Sequence, residues 1–171
     1  MSRYVQLASV VLLLSIQFGC GPNASTPSFR QEEHGSAKLA NRAVDRYDLE
    51  RDERRGGHTL SRHVARTDEQ LAGRLRAERN ISAASTWTDR ETAEETVAAA
   101  LRAEHGRVES WMRRGEQRPN LALHFETGRA VGRSLRRNQG ESDTCTSVVI
   151  VLRAHGSDGF YVLTTYPEAR E

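Results

Sequence analysis

Cysteine and lysine are nearly missing from this chain of 171 residues: it has two cysteines, Cys20 and Cys145, and one lysine, Lys38. Two cysteines allow at most one disulfide, and if Cys20 is removed or acylated, Cys145 has no intramolecular partner. The fold must then be held by its apolar core, which a chain of this length can build. A dominant charge sign is missing too. Lys+Arg number 25 and Asp+Glu 23, so nonspecific attraction of polyanions by the whole surface is not expected. No Gly-rich phosphate loop occurs, and no serine stands in a nucleophile-elbow pattern. His58 and His63 are five apart, roughly 140° around a helix, with no carboxylate at ligand spacing, so neither a zinc centre nor another cofactor is expected. The folded part holds no internal repeat and no low-complexity tract.

The first twenty residues read as a targeting signal. Arg3 supplies a basic start, Val5 to Ile16 an apolar stretch too short to remain as a membrane span, and Gly19-Cys20 a small residue followed by cysteine. Gly-Cys at this point resembles the lipobox of bacterial lipoproteins, although Gln17 and Phe18 depart from its usual residues. Export to the cell envelope or beyond is expected, with Cys20 either lipidated as a membrane anchor or removed with the signal. Residues 21–55 read as a linker: Gly21 to Ser28 is rich in Gly, Pro and Ser, and Asp45 to Arg55 mixes both charge signs densely, as a solvated helix or a tether. The folded domain is expected over 56–171.

Within that domain the apolar period changes once. Leu60 and Val64 lie four apart, as do Leu71 and Leu75, and Thr67-x-x-Gln70 is a capping-box pattern that starts a new helix between them. Ile81 to Trp87 is short and plausible as an extended segment. Thr88-x-x-Glu91 is a second capping-box pattern. It opens a long helix whose apolar face runs through Ala93, Val97, Ala100, Leu101, Val108, Trp111 and Met112, with a break predicted at Gly106. From Leu121 the period moves towards two, and Leu121–Phe125, Ala130–Leu135, Ser147–Leu152 and Phe160–Tyr166 are strand candidates between Gly-rich turns. Helices followed by an antiparallel sheet define an α+β domain.

Several residues could carry chemistry. His is the side chain whose ordinary pKa, about 6.5, lies nearest working pH. A His on the core-facing edge of a short helix with Arg nearby can be a general base beside an anion; it can equally be a solvated surface residue. Thr164 and Tyr166 are two apart on the last strand, so their hydroxyls share a face and can bind a phosphate, or they stand there simply as good strand formers. His105 is placed at a helix end, His124 on a strand and His155 in a turn. From His105 to Arg153 there are nine Arg against five acids, a surplus of four on one part of the fold. The Arg129–Arg137 segment is therefore a candidate surface for an anionic partner.

Taken in order, Gly57-His58-Thr59-Leu60-x-x-His63-Val64, Thr67-Asp68-Glu69-x-Leu71, Ile81 to Thr86, Thr88-Asp89-Arg90-x-Thr92-Ala93 and Tyr161-Val162-Leu163-Thr164-x-Tyr166-Pro167 resemble the bacterial ribonuclease A-like toxin domain. That domain forms the C-terminal tip of some contact-dependent growth-inhibition and other polymorphic toxins. The resemblance spans about Gly56 to Pro167. It implies a ribonuclease A-like α+β fold without disulfides, with N-terminal helices packed on a C-terminal antiparallel sheet. It also implies an active site of a helical His, an Arg eleven residues later, and a Thr and Tyr on the last strand: His63, Arg74, Thr164 and Tyr166. On a continuous helix His63 and Arg74 would stand roughly 16 Å apart, so the chain must bend between them.

The implied activity is metal-independent RNA cleavage, in which the 2′-hydroxyl attacks its own phosphodiester and leaves a 2′,3′-cyclic phosphate. His63 would be the base, Arg74 would stabilise phosphoryl charge, Thr164 would position the phosphate, and Tyr166 would hydrogen-bond it or help protonate the leaving oxygen. RNA is the implied substrate, a cognate immunity protein a possible partner, and a monomer the expected form. The alternative is a non-catalytic envelope lipoprotein, structural or binding an anionic partner through its Arg-rich surface.

Overall fold

Thr67 starts a helix as its pattern predicts. Its hydroxyl accepts from the Gln70 amide at 3.3 Å, and the Gln70 side chain accepts from the Thr67 amide at 2.9 Å, closing a capping box. The computed structural model describes residues 46–157 and 159–169. Among these, the helices are α1 (Leu49–Glu53), α2 (Thr59–His63), α3 (Asp68–Ala77), α4 (Arg90–Ala103) and α5 (His105–Met112). The strands are β1 (Ala83–Trp87), β2 (Leu121–Glu126), β3 (Gly132–Arg136), β4 (Asp143–Cys145), β5 (Ser147–His155) and β6 (Gly159–Glu168). The expected targeting signal with Cys20, and the expected linker up to residue 45, lie outside the described residues. No described helix is long and apolar enough to cross a membrane, and Cys145 is buried and free.

The α+β arrangement holds, with the strands divided into two antiparallel sheets, β1-β3-β4 and β2-β5-β6. Two contacts bind the sheets where they meet. The Trp87 indole N–H donates to the Thr165 carbonyl at 3.1 Å. A Cβ on Gly132 would stand 2.2 Å from the Thr86 carbonyl oxygen and 2.6 Å from Pro167 Cγ, so only glycine lets β3 pass that close to both β1 and β6. The main core gathers Trp87, Val97, Leu123, Val148, Ile150, Leu152 and Val162. A smaller one packs Leu71 and Leu75 of α3 on Ala84 and Leu135, each leucine contributing about 1.5–3 kcal/mol by burial. Arg74, three residues after Leu71, is thereby held at the edge of the buried face of α3.

Five details differ from the sequence patterns. From Arg46 to Arg55, the described part of the expected solvated helix or tether, the chain is folded in: Leu49 and Asp52 of α1 are each 1% exposed, and the folded body begins before Gly56. The Asp52 carboxylate accepts from the Tyr47 hydroxyl and the Val162 amide, both at 2.6 Å, and from Arg51 Nε at 3.1 Å, and these donors allow a carboxylate to be buried inside a polar run. The α4 cap is Asp89, whose side chain accepts from Thr92 N at 2.7 Å, and not Thr88. The break in the long helix falls at Glu104, not Gly106, so His105 begins α5 instead of ending a helix. Strand β4 has three residues, too few to show a period, and His155 closes β5 where a turn was expected.

Candidate active site

Helix α2 is fixed to the last strand before it delivers its histidine. The His58 amide donates to the Leu163 carbonyl at 3.0 Å, and the buried Thr59 hydroxyl accepts from the Thr165 amide at 2.9 Å. His63, the last residue of α2, is 6% exposed. Its Nδ1 lies 3.2 Å from the Ser85 carbonyl oxygen of β1. A carbonyl only accepts, so Nδ1 carries the proton and Nε2 keeps its lone pair.

The chain then turns, as the spacing to Arg74 requires. Val64 is extended and bridges to Trp87. Ala65 has φ +53°, and the Arg66 amide donates to Thr86 Oγ1 at 2.9 Å. Helix α3 begins beyond this bend and carries Arg74 back towards the histidine.

His63, Arg74 and Tyr166 line one hollow of about 560 Å³, together with Ser85, Ser134 and Arg136. The Tyr166 ring stacks on His63, with centroids 5.4 Å apart and planes at 30°. Arg74 Nε donates to the Glu78 carboxylate at 3.2 Å, while its Nη1 is buried with no protein acceptor. Thr164 does not line the hollow. It precedes Tyr166 by two on the same face of β6, and its Oγ1 is also buried without a protein partner. Three of the four expected residues thus converge, and the fourth stands next to them on the strand. A buried polar atom left unpaired costs about 1–3 kcal/mol, so the unpaired donors make Arg74 and Thr164 candidates for binding a ligand.

Burial, and then the Arg74 charge, push the His63 pKa down to about 4 against the opposing Ser85 bond. Burial and then the Glu168 carboxylate push the Tyr166 phenol above its ordinary value. At neutral pH the site therefore presents a neutral imidazole and a protonated phenol. His58 has its ring centroid 6.5 Å from that of His63 but does not line the hollow.

Other parts of the site were silent in the sequence. Ser85 contributes a backbone carbonyl, which no side-chain pattern announces. Ser134 and Arg136 reach the hollow from alternate positions of β3, a placement that follows only from the sheet pairing. The Arg129–Arg137 segment does not gather into one anion-holding face. Arg133 donates to Asp68 at 2.6 Å and to the Arg66 carbonyl at 2.7 Å, Arg137 donates to the Glu78 and Ile81 carbonyls, each at 2.9 Å, and Arg129 lies 3.6 Å from Glu95. Of these arginines, Arg136 alone lines the hollow. His105 and His124 lie 3.5 Å from Glu109 and Glu168, and His155 meets the Tyr161 ring edge-on. Among the described residues no group of three or more His, Cys, Asp or Glu could hold a metal ion.

The model of the bacterial CdiA-CT RNAse A domain family matches residues 57–167, which include all four residues just described. The chain belongs to that family. It is also similar to a crystal structure of a CdiA-CT/CdiI complex from Y. kristensenii, at 26% identity and a TM-score of 0.58, over 66% of this chain and 100% of that one. No curated protein matches. Family membership makes this a CdiA-CT ribonuclease toxin domain of the ribonuclease A-like type.

Proposed function

We propose that the protein is a metal-independent endoribonuclease that cuts RNA by transesterification. The 2′-hydroxyl gives its proton to His63 Nε2, and its oxygen attacks the neighbouring phosphorus. The bond from phosphorus to the 5′-oxygen breaks, and that oxygen takes a proton from the Tyr166 hydroxyl or from water. The products are a 2′,3′-cyclic phosphate and a 5′-hydroxyl end. A positioned base of this kind contributes about 10²–10⁴ in rate. Its neutral form is the one the site holds. Arg74 Nη1 donates to a non-bridging phosphoryl oxygen, where charge grows in the transition state, and the Thr164 hydroxyl supplies a further donor. Tyr166 acts first as a neutral donor, since its raised pKa makes it a weak acid at neutral pH.

The observation that carries this reading is the shared hollow. One imidazole has its proton engaged on Nδ1, one guanidinium has a buried donor without an acceptor, and one phenol stacks on the imidazole. The 2′-hydroxyl requirement selects RNA over DNA. The likeness to the CdiA-CT/CdiI complex supports a cognate immunity protein for this domain as well. The signal-like start supports export, with Cys20 as the point of lipid attachment if it is acylated. Incubating the protein with RNA in excess EDTA should give fragments ending in 2′,3′-cyclic phosphate and leave DNA of the same sequence intact. Cleavage that needs added metal, or equal cleavage of DNA, would contradict the mechanism.

A further inference from the structure

Arg74 borders a second hollow besides the one it shares with His63. This smaller space, about 280 Å³, lies between α2 and α3 and is lined by Ser61, Arg62, Arg66, Gln70, Arg74 and Glu78. Three guanidiniums face one carboxylate there. Glu78 holds two of them in place, at 3.6 Å from Arg62 and 3.2 Å from Arg74. Arg66 is tied by its Nη2 to the Leu60 carbonyl at 3.2 Å, yet its Nε is buried with no protein acceptor. Arg66 thus brings an unsatisfied donor to this space through Nε, while the unsatisfied Nη1 of Arg74 is the donor assigned to the phosphate under attack.

We propose that this hollow binds a second phosphate of the same RNA strand, next to the one being cleaved, so that the protein recognises at least two consecutive phosphates. The inference rests on the ribonuclease reading above. Arg74 is the link between the two spaces, because a guanidinium with donors on several edges can face adjacent phosphates. Another space adjoins the first hollow through Arg136 and Glu168, but there one arginine stands among Asp143 and Glu168. An anionic strand is drawn instead towards the side with three arginines and one carboxylate.

Arg62 is the residue to change, since its side chain is 53% exposed and its loss leaves the core intact. Cleavage is measured on a dinucleotide with a single phosphodiester, and on the same dinucleotide carrying an added 5′- or 3′-terminal phosphate. One terminal phosphate should raise kcat/KM by about tenfold, and Arg62→Gln should remove that gain while changing the bare dinucleotide by less than twofold. The end that responds fixes the direction of the strand. Arg114→Gln, an exposed arginine lining neither hollow, should change nothing.

Binding of a 2′-O-methyl hexanucleotide, which cannot be cut, gives an independent readout. The slope of log affinity against log salt should fall by about 0.7 in Arg62→Gln, the value for one lost single-strand phosphate contact. If Arg62→Gln weakens all substrates by one factor, or leaves the salt slope unchanged, the second phosphate site is wrong. If no substrate is cut but the slope still falls, the phosphate site stands and the nuclease reading fails.

Discussion

Arg137 and Arg74 are both half-buried arginines that bond to Glu78, and they do opposite things. The Arg137 guanidinium donates from Nε and Nη2 to the Glu78 and Ile81 carbonyls and fastens the turn between α3 and β1. Arg74 is held at one edge by Glu78 and keeps a buried donor that no protein group meets. Charge alone does not separate them. What separates these two is whether the fold itself supplies acceptors: Arg137 is a structural clamp, and Arg74 keeps a donor that an anion could take.

That contrast breaks down if the two substitutions behave alike. Arg74→Ala should lower RNA cleavage by about 10²–10³ while the thermal midpoint moves little, as steady-state rates and thermal melts would report. Arg137→Ala should do the reverse, removing about 1–3 kcal/mol of stability in denaturant unfolding with a much smaller change in rate for the folded molecules. Thr164→Val extends the comparison to a hydroxyl. It should slow cleavage by about tenfold and raise stability by about 1 kcal/mol, because an unpaired buried hydroxyl is replaced by a methyl.

The histidine extends the comparison to pH dependence. His63 has a folded pKa of about 4, below the unfolded value of about 6.5, so the unfolded chain binds more protons between those values. Stability should therefore be full above about pH 6.5 and decline as the pH falls towards 4, by up to about 3 kcal/mol. In kcat/KM the acid limb should lie near pH 4. A limb near pH 6.5 would mean that the imidazole is solvated.

Local features were the readable ones. The Thr67–Gln70 box and the long apolar run of β5 need no distant partner, and both stand where their patterns place them. Helix α1 escaped because Leu49 is a single apolar residue among charges and because Asp52 is buried with donors from Tyr47, Arg51 and the distant Val162. The residues alone left His58 and His63 open, and the family's eleven-residue interval to Arg74 pointed to His63. The fold adds a physical distinction, the carbonyl of Ser85 on one ring and not the other. No residue type signals that carbonyl. Nor, apart from the family's interval, does the chain tell Arg74 from Arg137, since acceptor supply is a property of the assembled sheets.

The central claim is that His63 is a neutral base with its proton on Nδ1 and its lone pair on Nε2. Nitrogen-15 NMR of the histidine side chains, titrated from pH 7 to pH 4, tests it directly. The account predicts a pyrrole-type Nδ1 and a pyridine-type Nε2 for His63, unchanged until the pH nears 4. The opposite tautomer, or a ring that gains its proton at pH 6 to 7, would contradict it.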